Sequence, residues 1–233
     1  MPEIPEENIL LEPYRRNTAP CIAYATYKLL TRNPDATVIA VPADSLIINE
    51  DIFCETVINA LKYASTSDNL FTIGIKPTRP DTNFGYIQFN RHESAQIGPS
   101  TLCAVKTFTE KPNLELATIF LETGEFLWNS GMFIWKVSVI LEYFKKLLPD
   151  MYAQMEAIFD DLRTDKEADA IARVYPVLEK ISVDYGIMDT HDSAINKLKR
   201  FDLNAVSKFF DVELTQHHRA NCDALATAQF FIK

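Results

Sequence analysis

Two apolar periods alternate along the first third of this chain. Residues 18–30 place Ile22, Ala25, Leu29 and Leu30 at helical spacing, with Thr18 as N-cap and Pro20 in the first turn. Residues 37–41 form a continuous apolar run of the kind found in buried parallel strands. Helical period returns over residues 49–64, where Phe53, Val57, Ala60, Leu61 and Ala64 share one side, and residues 70–75 are again strand-like. A short apolar strand, residues 9–11, precedes the first helix. This β-α-β-α-β order predicts an α/β fold with a parallel sheet and right-handed crossovers. After Lys76 the pattern predicts strands over 85–89 and 101–108, with the polar stretch 90–100 as a hairpin loop. A helix over 113–121 and a turn plus strand over 128–135 follow. Helices are then predicted over 137–147, 150–162 and 166–175, the first two divided by Pro149. With no repeat and no low-complexity linker, residues 1–192 are read as one domain. Residues 193–233 are read as a divergent helical tail packed on it, with weak amphipathic stretches at 204–210 and 221–232.

Composition narrows the chemistry. A net charge of −9 lacks the basic face that a nucleic-acid backbone requires, so no nucleic acid is expected as partner. A single nucleotide needs only a few local cations or a metal, and stays allowed. No apolar run approaches membrane-spanning length, and the acidic N-terminus has no signal core, so no membrane and a cytoplasmic location are expected. Cys21, Cys54, Cys103 and Cys222 are widely spaced without a CxxC pair, which suits free thiols better than zinc. His217 and His218 are adjacent and so point to different faces, which suits a surface pair. The six glycines include no GxG spacing, so neither common glycine-rich phosphate loop is present in this sequence.

Five stretches carry candidate chemistry. Glu12-Pro13-Tyr14-Arg15-Arg16-Asn17-Thr18-Ala19-Pro20 sets a carboxylate and a polar turn between a strand and a helix start, where open α/β sheets bind small ligands. An ionised Glu12 can accept both N–H donors on one edge of guanine, although the stretch taken alone is explained better by a plain strand-to-helix turn. Asp44 follows a buried strand, a position that suits a Mg²⁺ ligand shared with phosphates or simply a turn aspartate. Residues 75–80 and 83–87 pair a rigid cationic loop with Gly85 in a strand, a place for close approach of a sugar ring or a bulge, with Phe84 and Tyr86 as an apolar wall. Glu110 and Lys111 close a strand before Pro112. Glu110 could accept from vicinal hydroxyls and Lys111 could neutralise a phosphate, or the two could form a surface ion pair. Asn129 in a polar turn and Asp184 in an apolar strand supply further hydrogen-bonding groups, and a buried Asp184 requires partners.

Taken in order, EPYRRNTAP, VPADSLI, GIKPTRPDTNFGYI, FTEKP, LWNSGMFIW and SVDYGIM resemble the mannose-1-phosphate guanylyltransferases (GDP-mannose pyrophosphorylases). The resemblance runs from Glu12 to Met188. It implies a nucleotidyltransferase-type, Rossmann-like α/β fold with a mixed, mainly parallel sheet flanked by helices. It implies transfer of GMP from GTP to mannose 1-phosphate, giving GDP-mannose and pyrophosphate, with Mg²⁺ as cofactor. Glu12, Arg16, Asn17 and Thr18 would bind the nucleotide, and Asp44 the metal. Gly85, Tyr86, Glu110, Asn129 and Asp184 would bind the sugar, and Asp44 and Lys111 would be catalytic. The implied partners are GTP and mannose 1-phosphate, or GDP-mannose, with a homo-oligomer or a complementing subunit as protein partner. Such enzymes open with a strand and a GGxGTRxxP loop and carry a later WSDxGxW segment. Neither is found here, so the sequence is expected to be truncated at the N-terminus, without the first strand and phosphate loop, and divergent at the C-terminus. The alternative function is a catalytically silent homologue or gene fragment that binds only sugar, nucleotide or a partner subunit.

Overall fold

The computed structural model describes residues 4–98, 100–189 and 198–202. Helix α1 (Thr18–Leu30) starts where expected, but Asn17 is its N-cap. Asn17 adopts a left-handed φ of 70° and its Oδ1 accepts the Thr18 N–H at 3.0 Å. Asparagine tolerates this conformation because its short polar side chain bonds locally. Thr18 is thereby the first helical residue, and its hydroxyl is free for another partner. Strand β1 (Thr37–Ala40), helix α2 (Glu50–Ser65, capped by Asn49) and strand β2 (Leu70–Ile75) follow as the apolar periods require. Residues 9–11 do not form a strand: Leu11 is 78% exposed and only Leu10 packs on the core.

The polar stretch 90–100 is largely strand. β3 (Tyr86–Ile97) and β4 (Ser100–Thr109) make one long antiparallel hairpin with its bend at Gly98, φ 57°. Its outer half is exposed on β3, so ladder hydrogen bonds hold it without an apolar pattern to announce it. Helix α3 (Leu114–Thr123) is capped by Asn113 and ends on Gly124, φ 64°. Strand β5 (Phe126–Lys136), helices α4 (Val137–Leu147), α5 (Pro149–Glu156) and α6 (Glu167–Val174) complete the main body. Residues 182–188 are not a strand; Asp184–Met188 form a single π-helical turn, closed by Asp189 N–H to the Asp184 carbonyl at 2.7 Å. Leu198–Asp202, in the stretch read as a tail, form β6. The amphipathic stretches at 204–210 and 221–232 and the pair His217–His218 lie outside the described residues.

The α/β class holds, with the strands in the order β1-β5-β2-β6-β4-β3 and β3 pairing back onto β5. The pairings are chiefly antiparallel, and β2–β6 is the parallel one among the described strands. β1 and β2 do run in the same direction, as the crossover through α2 demands. β5 inserts between them, antiparallel to both, because it arrives from the far side after the β3–β4 hairpin. Alternation along the strands splits the core. Val38, Ala40, Leu70, Phe133 and Trp135 face α1 and α4, while Ile39, Phe71, Ile73 and Ile134 face Ala60 and Ala64 of α2.

Candidate functional site

Strand register gathers one rim of the sheet. Gly74 of β2 lies opposite Asn129 of β5, and Tyr86 of β3 lies opposite both Trp128 of β5 and Thr109 of β4. Gly85, Glu110 and Asn129 are therefore neighbours, each one residue beyond a paired position. The Gly85 carbonyl accepts the Asn129 N–H at 2.7 Å. A Cβ on Gly85 would stand 2.3 Å from Glu110 Oε2 and 3.3 Å from Asn129 Cβ. A side chain there would displace Glu110, and Gly85 is the floor over which Glu110 reaches.

Glu110 has the pattern expected of a ligand-binding acid. Its side chain is 7% exposed; Oε1 accepts from Lys111 Nζ at 2.7 Å, and Oε2 is buried with no hydrogen bond among the described residues. An orphaned buried carboxylate oxygen is costly unless a ligand donor meets it. Lys111 takes a left-handed φ of 48° just before Pro112, which turns its ammonium back onto Glu110 and over the Tyr185 ring at 5.7 Å. Burial pulls the Lys111 pKa down, but the hydrogen bond and charge of Glu110, with Tyr185 and Asp184, outweigh it and leave the ammonium more basic than usual.

Asn129 is the hub of the rim. Between Thr72 and Gly74 the β2–β5 register slips, so β5 bulges through residues 130–132, with Gly131 at φ 72°. A bulge re-aims side chains. Asn129 Oδ1 accepts from Thr72 Oγ1 at 3.0 Å and from the Gly131 N–H at 3.2 Å, and its Nδ2 donates to Asp184 Oδ1 at 2.9 Å. Burial, then the Glu110 charge, push the Asp184 carboxyl up to about 6, against the pull of a backbone N–H, Lys111 and Asn129. Gly85, Glu110, Lys111, Asn129 and Asp184 thus form one connected cluster. Thr72 belongs to it and was missed; the signal was a hydroxyl inside the apolar strand LFTIGI.

The remaining expected residues lie around this cluster in different ways. Tyr86 is fully buried against Phe120, and its hydroxyl accepts the Asp81 N–H at 3.0 Å. It therefore supports the rim from behind. The loop it holds is rigid: Arg79 pairs with Asp81 at 2.7 Å and lies 5.2 Å over Trp128. Thr18 accepts the Val183 N–H at 2.9 Å, which docks the start of α1 beside Asp184. Arg16 donates to the Pro176 carbonyl, and Glu12 accepts from the Tyr175 hydroxyl. Burial raises the Glu12 pKa, opposed by its bonds from Tyr175 and Cys21. The Glu12–Thr18 stretch is thus bonded to residues 175–183, with the Glu12 carboxylate already engaged inside the protein.

Asp44 lies on an exposed loop whose Pro42 Cγ comes within 3.2 Å of a Cβ built on Gly131, so this loop borders the Asn129 turn. Among the described residues no three His, Cys, Asp or Glu side chains group to hold a metal. One exposed carboxylate suits an ion whose other ligands are phosphate and water oxygens. Cys21 and Cys103 are buried, whereas Cys54 is exposed. No helix among the described residues is long and apolar enough to cross a membrane. A cleft of about 330 Å³ opens elsewhere, lined by Lys76, Phe89, Arg91, Thr101 and Phe126, and shares none of the cluster residues.

The chain is 38% identical over 196 residues to a mannose-1-phosphate guanylyltransferase of Salmonella montevideo, a match covering 81% of this chain and 40% of that protein. It is also 38% identical over 200 residues to a mannose-1-phosphate guanylyltransferase of Escherichia coli K12, with the same coverage. The chain thus spans about 40% of the length of the curated relatives it matches. Among solved structures it resembles one titled mannose-1-phosphate geranyltransferase from Thermus thermophilus, at TM-score 0.68 and 26% identity, covering 83% of this chain and 52% of that one. It also resembles one titled mannose-6-phosphate isomerase from Helicobacter pylori, at TM-score 0.66 and 28% identity, covering 83% and 71%. Residues 3–173 match the family described as Nucleotidyl transferase, and the chain belongs to that family.

Proposed function

We propose that this chain forms the sugar-phosphate half of a mannose-1-phosphate guanylyltransferase, which transfers GMP from GTP to mannose 1-phosphate and releases pyrophosphate. The observation that carries the reading is Glu110 Oε2, which lies against Gly85, buried and without a hydrogen-bond partner among the described residues. A sugar ring lying on Gly85 brings hydroxyl donors to that oxygen. Lys111, beside it and half exposed, supplies the positive charge for the sugar phosphate, and the Asn129 amide, one hydrogen of which bonds Asp184, has a second hydrogen to donate. Asp44 would hold Mg²⁺ together with nucleotide phosphates; the ion, when bound, would neutralise phosphate charge during transfer. The residues of this chain contribute position and charge, which is most of what phosphoryl-group transfer needs. A cytoplasmic location fits phosphorylated substrates of this kind.

A second reading has one observation in its favour. Guanine would have to displace Tyr175 and Cys21 from Glu12, which suits a protein that binds the sugar side without nucleotide transfer. Incubation with GTP, mannose 1-phosphate and Mg²⁺, followed by assay of GDP-mannose and pyrophosphate, separates the two. Product that disappears in Glu110→Gln supports the transferase. Mannose 1-phosphate binding without GTP binding or product supports the second reading, and binding of neither substrate sinks both.

A further inference from the structure

An amide side chain fits a site in either of two orientations, and which one it takes decides whether it offers a ligand a donor or an acceptor. At Asn129 three neighbours vote. The Gly131 N–H can only donate, so it requires the amide oxygen at 3.2 Å; an ionised Asp184 can only accept, so it requires the amide nitrogen at 2.9 Å. Thr72 is the adaptable neighbour. Its hydroxyl has two acceptors in reach, Asn129 Oδ1 at 3.0 Å and the Met132 carbonyl at 3.1 Å. Thr72 has no exposed surface and lies in a strand between Phe71 and Ile73. A valine there would fill nearly the same shape and avoid the cost of burying a hydroxyl. With its single hydrogen directed to Asn129 rather than to Met132, the hydroxyl provides the second bond to the Asn129 oxygen.

We propose that Thr72 is a positioning residue for the sugar side of the site: with the Gly131 N–H, its hydroxyl holds the Asn129 carbonyl toward the sheet, so that of the two Asn129 amide hydrogens one bonds Asp184 and the other is left as a donor beside Glu110. The proposal rests on the sugar-phosphate reading of the cluster. It places the donor of the site under the control of a residue that touches no ligand. The bulge at residues 130–132 is what makes this possible, because it brings the Gly131 N–H round to the same oxygen.

The test compares Thr72→Val with Thr72→Ser, using mannose 1-phosphate as the probe in calorimetry and the Asn129 side-chain N–H₂ resonances in ¹H–¹⁵N spectra. Thr72→Val is expected to bind about five-fold more weakly, the worth of one hydrogen bond. Its Asn129 N–H₂ pair shifts or doubles, and Thr72→Ser restores both to near wild type. A merely structural role would be revealed by loss of thermal stability in both variants without the resonance change. Wild-type binding with unaltered affinity in Thr72→Val overturns the proposal. If the wild type binds no mannose 1-phosphate, the sugar reading fails by itself, and the resonances still decide: an unmoved single Asn129 pair in Thr72→Val overturns the positioning role.

Discussion

Replacing Asp184 with asparagine should stabilise this protein above neutral pH and leave it unchanged in acid. Asp184 donates nothing when ionised, accepts from Asn129 at 2.9 Å, and is held near Glu110 in a buried position. Those surroundings raise its pKa from an ordinary 3.8 to about 6. In that window the folded protein holds a proton that the unfolded chain has released, so stability falls as pH rises through it. At about 1.4 kcal/mol per pH unit, the gap corresponds to about 3 kcal/mol. The stabilising contribution is fully present below about pH 3.8 and lost above about pH 6. Asparagine keeps an oxygen for the Asn129 N–H and carries no charge to desolvate. Asp184→Asn should therefore gain up to about 3 kcal/mol over wild type at pH 7.5 and almost nothing at pH 4. Urea unfolding at a series of pH values measures this directly, and the difference between the two profiles cancels the other carboxylates. Parallel profiles for the two proteins would refute the reasoning, because they would mean that Asp184 does not titrate differently on folding.

Three further outcomes follow from the same cluster. Gly85→Ala puts a Cβ 2.3 Å from Glu110 Oε2, so Glu110 must swing away. Calorimetry should show mannose 1-phosphate affinity falling at least about ten-fold, as expected when a charged hydrogen bond is lost. Glu110→Gln removes the charge that raises Asp184, so carboxyl NMR titration should show the Asp184 pKa falling. Its stability should change by no more than about 1 kcal/mol, since Lys111 is half exposed and its ion pair is screened. Asp44→Ala should alter the urea midpoint by less than about 0.5 kcal/mol, as an exposed side chain does, while abolishing any Mg²⁺-dependent gain in nucleotide affinity.

The legible parts of the fold were those where burial imposes a period. Residues 70–75 and 137–147 matched their strand and helix because the strand is buried on both faces as one apolar run, while every third-to-fourth helical residue meets the core. The β3–β4 hairpin escaped because its outer half is held by backbone bonds and shows water a polar face. The π-helical turn at Asp184 escaped for the opposite reason: Gly186, Ile187 and Met188 are all buried, so an apolar run looked like a strand. Chain order suggested adjacent parallel strands, but only three-dimensional pairing reveals that β5 enters between β1 and β2. Gly85, Glu110, Lys111, Asn129 and Asp184 stood in ordered motifs, and the structure brings them into one cluster. Thr72 was not, because its role depends on a two-residue slip of register that no local pattern records. Nor did sequence reveal that Glu12 is bonded to Tyr175, a contact between residues 163 positions apart.

Chemical-shift mapping with mannose 1-phosphate tests the proposed sugar site most directly. The account predicts perturbations centred on the Gly85, Lys111 and Gly131 amides and the Asn129 side-chain N–H₂, lost in Glu110→Gln. Perturbations clustered instead around Lys76 and Arg91 in the separate cleft, or none at millimolar sugar phosphate, would contradict it.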